Sequence, residues 1–365
     1  MGKVVPQGGA APLHPLPRAE RPLEPDTWAV GGRGSERPLG PAVPRSPSLQ
    51  PPNSWCPEAL RHLAGGCGRA EPSRVAPSPI PRRLALIAAA CVLAAPAVRA
   101  AEVARWFTTS DGVRLRYLEA GSGRMVVFVP GWCMPARIFE PQIEVLSRRW
   151  RVVSLDPRGQ GQSEVPRGGY EPTRRGQDIR DLLAHLGGGR VVLAGWSLGV
   201  LDALSYVDMA GDGRLAGLVL IDNSVGEGTP PPARTRPSTF FANLRQRRDQ
   251  TVRGFVRGMY KTPQDEAYLD EISRQAQRMP VEASIRLLSY PRPREFWRES
   301  LYAVRRPVYY AVTPRLRNQA ELVAQRHPQP TVEVFDGAGH ALFVDEAARF
   351  NASMEDFLAR KAAWA

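Results

Sequence analysis

Long apolar runs, cysteine and clustered charge are scarce in this 365-residue sequence. No stretch reaches the roughly 18 to 20 consecutive apolar residues that a membrane span requires, which excludes a protein with several spans. The net charge of +13 is spread along the chain, without the concentrated basic stripe typical of nucleic-acid binding. We therefore expect no nucleic-acid partner and no stable membrane span, and the pattern does not decide the oligomeric state.

The few cysteines limit the disulfides and metal sites that the chain could form. Three of the 4 cysteines (Cys56, Cys67 and Cys91) precede residue 100, and the rest of the chain keeps Cys133 alone. A single cysteine forms neither an internal disulfide nor a metal cluster. We expect no metal site and no cofactor.

Residues 1–80 are poor in aromatic and β-branched residues and hold many of the 36 prolines. Such a stretch buries too little apolar surface to offset its chain entropy, which predicts a disordered Pro/Gly-rich extension. Met1 is the only methionine before Met125. The extension is therefore either genuine or translated from upstream of the true start.

Residues 81–100 have the pattern of a secretory signal peptide. Arg82 and Arg83 precede the apolar run 84–93, and Val98-x-Ala100 is a small-residue cleavage site. A buried helix is the alternative, but Pro96 suits cleavage better than helical packing. Export through Sec or through the twin-arginine route is open, and we expect a periplasmic or secreted protein.

From residue 101 onward, short apolar strands alternate with amphipathic helices, which predicts an α/β fold. The predicted sheet is mostly parallel, with helices on both faces. Residues 223–305 interrupt the alternation with helical stretches, and at about 80 residues they exceed a usual connection. We predict a core of 101–222 and 306–365 with a helical lid of 223–305 inserted into it.

The segment Gly195-Trp196-Ser197-Leu198-Gly199 lies between a predicted buried strand and a predicted helix. This is the context of the G-x-S-x-G nucleophile elbow, in which glycines permit a tight turn and the serine hydroxyl is exposed above the sheet. The sequence therefore predicts Ser197 as a nucleophile.

His340 lies in the glycine-rich turn Phe335-Asp-Gly-Ala-Gly-His340, between the last strand and the last helix. A histidine there can reach the serine across the carboxyl edge of the sheet. The other histidines lack this setting; they are His14, His62, His185 and His327. We predict that His340 is the general base.

With these motifs the region 105–362 resembles the α/β-hydrolase superfamily, in its serine-nucleophile, lid-bearing esterase/aminopeptidase-like branch. The matching segments are Asp111-Gly112-Val-Arg-Leu, Pro130-Gly131-Trp132, Asp156-Pro-Arg-Gly159-Gln-Gly161-Gln-Ser163 and Gly339-His340. The resemblance implies an eight-stranded sheet. It also implies an oxyanion hole formed by the backbone N–H groups of Trp132 and Leu198. Asp156 and Arg158 are expected to be structural.

The resemblance leaves the triad acid open between two positions. Most relatives carry it after the strand that follows the lid, where the nearest carboxylate here is Glu321. Some carry it after the strand that precedes the lid, where this chain has Asp222 at the end of Leu218-Val-Leu-Ile. Asp222 is the preferred candidate and Glu321 the alternative, whereas Asp336 is expected to shape the histidine turn.

These parts imply an exported serine hydrolase that cleaves a small hydrophobic ester or lactone through an acyl-enzyme. Aromatic residues of the lid, together with Trp132 and Trp196 as substrate contacts, favour an apolar substrate. The alternatives are a proline-releasing aminopeptidase, a perhydrolase and a carbon–carbon bond hydrolase on the same triad. A ligand-binding, receptor-like member is the alternative that is not an enzyme.

Overall fold

The computed structural model describes residues 102–229, 239–289 and 292–365. The predicted extension 1–80 and the signal peptide 81–100 lie outside this part of the chain. Its strands are β1 (Val103–Thr108), β2 (Arg114–Ala120), β3 (Met125–Val129), β4 (Arg151–Asp156), β5 (Val191–Trp196), β6 (Leu215–Ile221), β7 (Val308–Val312) and β8 (Pro330–Val334).

The eight strands form one sheet in the order β1-β2-β4-β3-β5-β6-β7-β8. β2 pairs antiparallel with β1 and β4, and every other neighbouring pair is parallel. The central strands β3, β5, β6 and β7 are buried along their whole length, as expected for continuous apolar runs covered on both faces. The predicted mostly parallel eight-stranded sheet is confirmed.

Helices connect the parallel strands and complete the fold. They are α1 (Glu140–Leu146), α2 (Pro172–Leu186), α3 (Leu198–Ala210), α4 (Phe240–Gln246), α5 (Arg248–Gly258), α6 (Glu266–Ala276), α7 (Val281–Leu288), α8 (Arg294–Ala303), α9 (Arg317–Arg326), α10 (Leu342–Asp345) and α11 (Ala347–Asp356). Helix α3 packs against both α2 and α8, and α1 packs against α11 elsewhere.

Helix α8 differs from the predicted division of the chain, which assigned all of 223–305 to a lid. It packs against α3 and leads directly into β7, as the crossover helix of a β-α-β unit does. The inserted helices, by which we mean α4–α7, therefore precede this crossover. They contact loops at the carboxyl edge of the sheet, through Ser284 on α7 and Met259 after α5.

The parallel strands bring the sequence motifs together at that edge. The loop of Trp132 follows β3, Ser197 follows β5, Asp222 follows β6 and His340 follows β8. Because parallel strands point the same way, residues far apart in sequence meet at one end of the sheet. The fold thus assembles a single candidate site.

Candidate active site

Ser197 lies in a sharp turn between β5 and α3, with φ 58° and ψ −126°. A Cβ on Gly195 would lie 2.2 Å from the carbonyl oxygen of Gly199, and one on Gly199 would lie 2.2 Å from that of Val129. Only glycine fits at either position. The two motif glycines therefore allow the close packing that holds the serine in a left-handed conformation.

The three predicted triad residues are brought into one hydrogen-bonded chain. Ser197 Oγ lies 2.8 Å from His340 Nε2, and His340 Nδ1 lies 2.8 Å from Asp222 Oδ2. With the imidazole protonated on Nδ1, that nitrogen donates to the carboxylate and Nε2 accepts from the serine hydroxyl. This is the arrangement in which a histidine serves as base toward a serine.

The Asp222 carboxylate is held from both sides. Its Oδ1 accepts hydrogen bonds of 2.8 Å from the backbone N–H and the hydroxyl of Thr313, while Oδ2 faces His340 and, at 3.6 Å, the guanidinium of Arg315. Burial by itself would raise the pKa of Asp222. The hydrogen bond and charge of His340, with Arg315 and Thr313, outweigh burial and hold that pKa below its usual value.

Backbone strain is concentrated at this site. Within the described residues, the non-glycine positions with positive φ are Cys133 (59°), Ser197 (58°) and Asp222 (45°). Two belong to the hydrogen-bonded chain, and Cys133 follows Trp132 in the loop after β3. Strained residues persist where the surrounding structure fixes them, and they cluster at functional sites.

The loop after β3 lies directly against the serine. A Cβ on Gly131 would be 2.8 Å from Ser197 Cβ and 3.1 Å from its Oγ, so the glycine permits this contact. The side-chain amide of Gln160 donates hydrogen bonds of 2.9 Å to the carbonyls of Gly131 and Met134 and so fixes the loop. The N–H of Trp132 and that of Leu198, the first residue of α3, thus come from the two segments that border the serine hydroxyl.

Trp132 joins this loop to the inserted helices. Its indole Nε1 donates over 2.7 Å to the carbonyl of Ser284 on α7, and its ring packs edge-on against Phe255 of α5 at 5.0 Å. Phe240 of α4 also contacts it, with ring centroids 5.7 Å apart. Trp132 therefore carries a predicted oxyanion donor on its backbone and a contact with the inserted helices on its side chain.

Trp196 supports the histidine. Its indole donates over 2.9 Å to the carbonyl of His340, and the two rings lie 5.2 Å apart. Its other ring contacts are Phe139 and Phe343 in the core. These contacts indicate that Trp196 positions the histidine turn, and the predicted contact between Trp196 and substrate stays a prediction.

The histidine turn is also hydrogen-bonded to the segment between α5 and α6 of the inserted helices. The Asp345 carboxylate accepts from the backbone N–H of Gly339 (2.7 Å) and of Lys261 (2.8 Å), and the N–H of Ala341 donates to the carbonyl of Met259 (2.9 Å). The segment between α5 and α6 therefore packs on the turn that carries His340. With Ser197 2% and His340 7% exposed, the site is nearly closed to solvent.

The remaining predicted residues lie away from the hydrogen-bonded chain. Glu321 is exposed on α9, and Asp336 pairs with Arg317 at the surface. Asp156 accepts from the backbone N–H of Ala136, and Arg158 makes a two-pronged ion pair with Asp178. Asp156 and Arg158 thus have the structural contacts that were expected of them.

Two supporting residues of the site were not predicted from the sequence. Asn223 donates from its side chain to the carbonyl of Ser197 over 2.8 Å, and Thr313 holds Asp222. Asn223 directly follows the preferred acid, which was the one available hint. Thr313 could be found only from the pairing of β6 with β7, because it is 91 residues away in sequence.

No group of three or more His, Cys, Asp or Glu residues in 102–229, 239–289 and 292–365 could hold a metal ion. None of the helices in the same ranges is long and apolar enough to cross a membrane.

Comparison with known proteins agrees with the fold. A non-heme haloperoxidase from Rhodococcus erythropolis is 36% identical over 126 residues, 34% of this chain and 44% of that protein. A non-heme chloroperoxidase from Kitasatospora aureofaciens is 36% identical over 115 residues, 31% of this chain and 42% of that protein. The chain thus spans less than half the length of these curated relatives.

Solved structures match a larger share of this chain than the curated relatives do. An esterase from Exiguobacterium antarcticum covers 70% of this chain and 98% of its own, with a TM-score of 0.63 and 21% identity. A bromoperoxidase from Bacillus anthracis covers 70% of this chain and 100% of its own, with a TM-score of 0.62 and 20% identity. At such identities the likeness concerns the fold. The model of the alpha/beta hydrolase family matches residues 126–353, and the chain belongs to that family.

Proposed function

We propose that this protein is a serine hydrolase in which Ser197 is the nucleophile, His340 the general base and Asp222 the triad acid. The observation that carries the proposal is the continuous chain of two 2.8 Å hydrogen bonds from Ser197 through His340 to Asp222. The strained backbone of Ser197 adds to it, because that turn keeps the hydroxyl in place before any substrate arrives.

The reaction follows from this geometry. Ser197 Oγ attacks the carbonyl carbon while its proton moves to His340 Nε2, and Asp222 stabilises the imidazolium. The tetrahedral intermediate then collapses as the imidazolium protonates the leaving alcohol. In the second half, a water that gives its proton to His340 attacks the acyl-enzyme, and the acid product leaves Ser197 free.

The oxyanion is assigned to the backbone N–H groups of Trp132 and Leu198. Leu198 begins α3, where helix N–H groups are free of intrahelical partners and the helix dipole favours negative charge. Gly131 brings the loop of Trp132 against the serine hydroxyl. Each such donor is worth about 3 kcal/mol of transition-state stabilisation in enzymes of this kind.

For the substrate we propose a small hydrophobic carboxylic ester or lactone. Phe240 and Phe255 of the inserted helices pack on Trp132, which lies in the loop beside the serine, and aromatic groups this close to the site favour an apolar substrate. The nearly closed site favours a compact substrate over a polymer. Four of the structural neighbours are described as esterases, and another as an N-acyl homoserine lactone degrading enzyme.

Hydrolysis of a substrate panel tests the proposal. The panel contains p-nitrophenyl esters of increasing chain length, lactones and aminoacyl anilides, so that it also covers the aminopeptidase alternative. We expect turnover of short esters or lactones that is lost in Ser197→Ala. Thermal unfolding of this variant checks that it is folded, and full activity in the folded variant would reject the assignment.

A second candidate is the perhydrolase among the alternatives. It is favoured by the similarity to proteins named non-heme haloperoxidase and chloroperoxidase. On the same acyl-enzyme, hydrogen peroxide would replace water as the attacking group and the product would be a peracid. Adding peroxide to the ester assay and measuring peracid formation separates the two reactions.

Two further proposals concern the export of the protein and the role of the inserted helices. We propose that 81–100 is a cleaved signal peptide and that the mature protein is periplasmic or secreted. We further propose that the inserted helices act as the lid, since Ser284 and Met259 accept hydrogen bonds from the loop of Trp132 and from the turn of His340.

A further inference from the structure

One oxygen of the proposed triad acid faces two groups. Asp222 Oδ2 lies 2.8 Å from His340 Nδ1 and 3.6 Å from a guanidinium nitrogen of Arg315. Arg315 follows β7 in the same turn as Thr313, which holds the other oxygen. The turn after β7 thus supplies a hydrogen-bonding residue and a cation to the same carboxylate.

The Arg315 charge is permanent and lies close to the relay, by which we mean the hydrogen-bonded chain of Ser197, His340 and Asp222. Arginine stays protonated at any pH at which the protein is folded. A cation within about 4 to 6 Å favours the ionised form of a carboxylate and disfavours a second positive charge on a neighbouring imidazole. The Arg315 side chain is 44% exposed, so solvent and salt screen part of this effect.

Other charged groups around the relay are engaged elsewhere. Asp345 accepts backbone N–H groups from the histidine turn and the inserted helices, Asp336 pairs with Arg317, and Glu227 pairs with Arg326. Arg294 donates to the backbone carbonyl of Glu227, and the Lys261 ammonium donates to that of Asp336. Within the described part of the chain, no Arg or Lys side chain other than that of Arg315 lies at ion-pair distance from Asp222.

We propose that Arg315 is a positioning residue that holds Asp222 ionised and opposes protonation of the relay, so that the serine stays reactive into mildly acidic conditions. The inference rests on the proposed function, because it concerns the reactivity of Ser197. A residue with a purely structural role would affect folding and turnover without moving the pH dependence.

The test is the pH dependence of the rate at which a fluorophosphonate inactivates the protein, which needs no knowledge of the natural substrate. The acidic midpoint is the pH at which this rate falls to half its plateau. In Arg315→Met, which keeps the length of the side chain and removes its charge, we expect the acidic midpoint to rise by about half a pH unit. Arg315→Lys retains the charge and should stay near the wild-type midpoint.

Arg317→Met is the matched control, because Arg317 lies two residues further along and pairs with Asp336 at the surface. An unmoved midpoint in Arg315→Met, or an equal rise in Arg317→Met, would overturn the inference about Arg315 and leave the proposed function intact. Absence of a Ser197 adduct in the wild-type protein would overturn the proposed function and this inference with it. Added salt should raise the wild-type midpoint and leave that of Arg315→Met unchanged.

Discussion

The side-chain amide of Asn223 donates a hydrogen bond of 2.8 Å to the backbone carbonyl of Ser197, so the turn after β6 is joined to the turn after β5. The carbonyl of Asn223 accepts in turn from the buried hydroxyl of Tyr310 over 2.7 Å. Since Asn223 follows Asp222 directly, one dipeptide contacts both the base and the strained nucleophile turn.

Asn223→Ala should therefore weaken catalysis without abolishing it. A lost buried hydrogen bond is worth about 1 kcal/mol, and we expect a fall in kcat of about fivefold with little change in KM. Steady-state kinetics on a p-nitrophenyl ester measures the change. Asn318→Ala, on the exposed face of α9, is the matched control and should be neutral. Equal kinetics for the two variants would contradict this role for Asn223.

The acid is tested by one pair of isosteric substitutions. Asp222→Asn removes the charge and favours the wrong imidazole tautomer, which costs roughly 10⁴-fold in turnover in a well-studied triad. Glu321→Gln, exposed on α9, should be close to wild type. The same ester assay measures both variants, and the reverse pattern would move the acid to the position after β7.

Asp111 provides a test of stability against pH. Burial raises its pKa, but the hydrogen bonds from Arg158 and Thr109, with the charges of Arg158 and Arg174, outweigh burial and bring that pKa to about 2. Because the folded pKa is lower than the unfolded one, the contribution is complete above pH 4 and is lost as pH falls towards 2.

At pH 7, Asp111→Asn should therefore lower the free energy of unfolding by about 1 kcal/mol, a value reduced for the screening of a partly exposed carboxylate. The difference from wild type should shrink when urea unfolding is repeated at pH 3. Asp336→Asn, whose partner Arg317 is at the surface, should change little at either pH. A difference that is constant with pH would argue against the ion pair as its cause.

Processing of the N-terminus is a separate prediction. If 81–100 is a signal peptide, the protein purified from the periplasm or medium of an expressing cell should begin at Ala101. N-terminal sequencing and intact mass measure this directly. A mature chain that retains Arg82 would instead indicate an uncleaved segment, and peptides from 1–70 in the native protein would establish a genuine extension.

Much of the fold was predictable because its signals are local. The apolar runs of β3, β5 and β6 and the glycines around Ser197 identify a parallel sheet and its elbow without tertiary information. Helix α2 begins at Pro172, whereas its apolar spacing begins only at Ile179, because its first two turns are polar. The role of α8 as crossover helix was missed because helical periodicity does not reveal the partner against which a helix packs.

The supporting contacts of the site could not be predicted, because they depend on which strands are neighbours. Thr313 and Arg315 reach Asp222 only because β7 pairs with β6, and Asp345 reaches Lys261 across 84 residues of sequence. The side chain of Trp196 shows the same limit. Nothing in the local sequence indicated that its indole donates to the carbonyl of His340.

The most direct test of the proposed Ser197–His340–Asp222 triad is the site of covalent labelling by a fluorophosphonate. This reagent reacts with a serine that a neighbouring base activates, and peptide mass spectrometry identifies the modified residue. If His340 and Asp222 activate Ser197, the wild-type protein should carry one adduct, on Ser197, with much slower labelling in Asp222→Asn and none in Ser197→Ala. A folded wild-type protein that remains unlabelled, or one labelled at a different serine, would contradict the proposed triad.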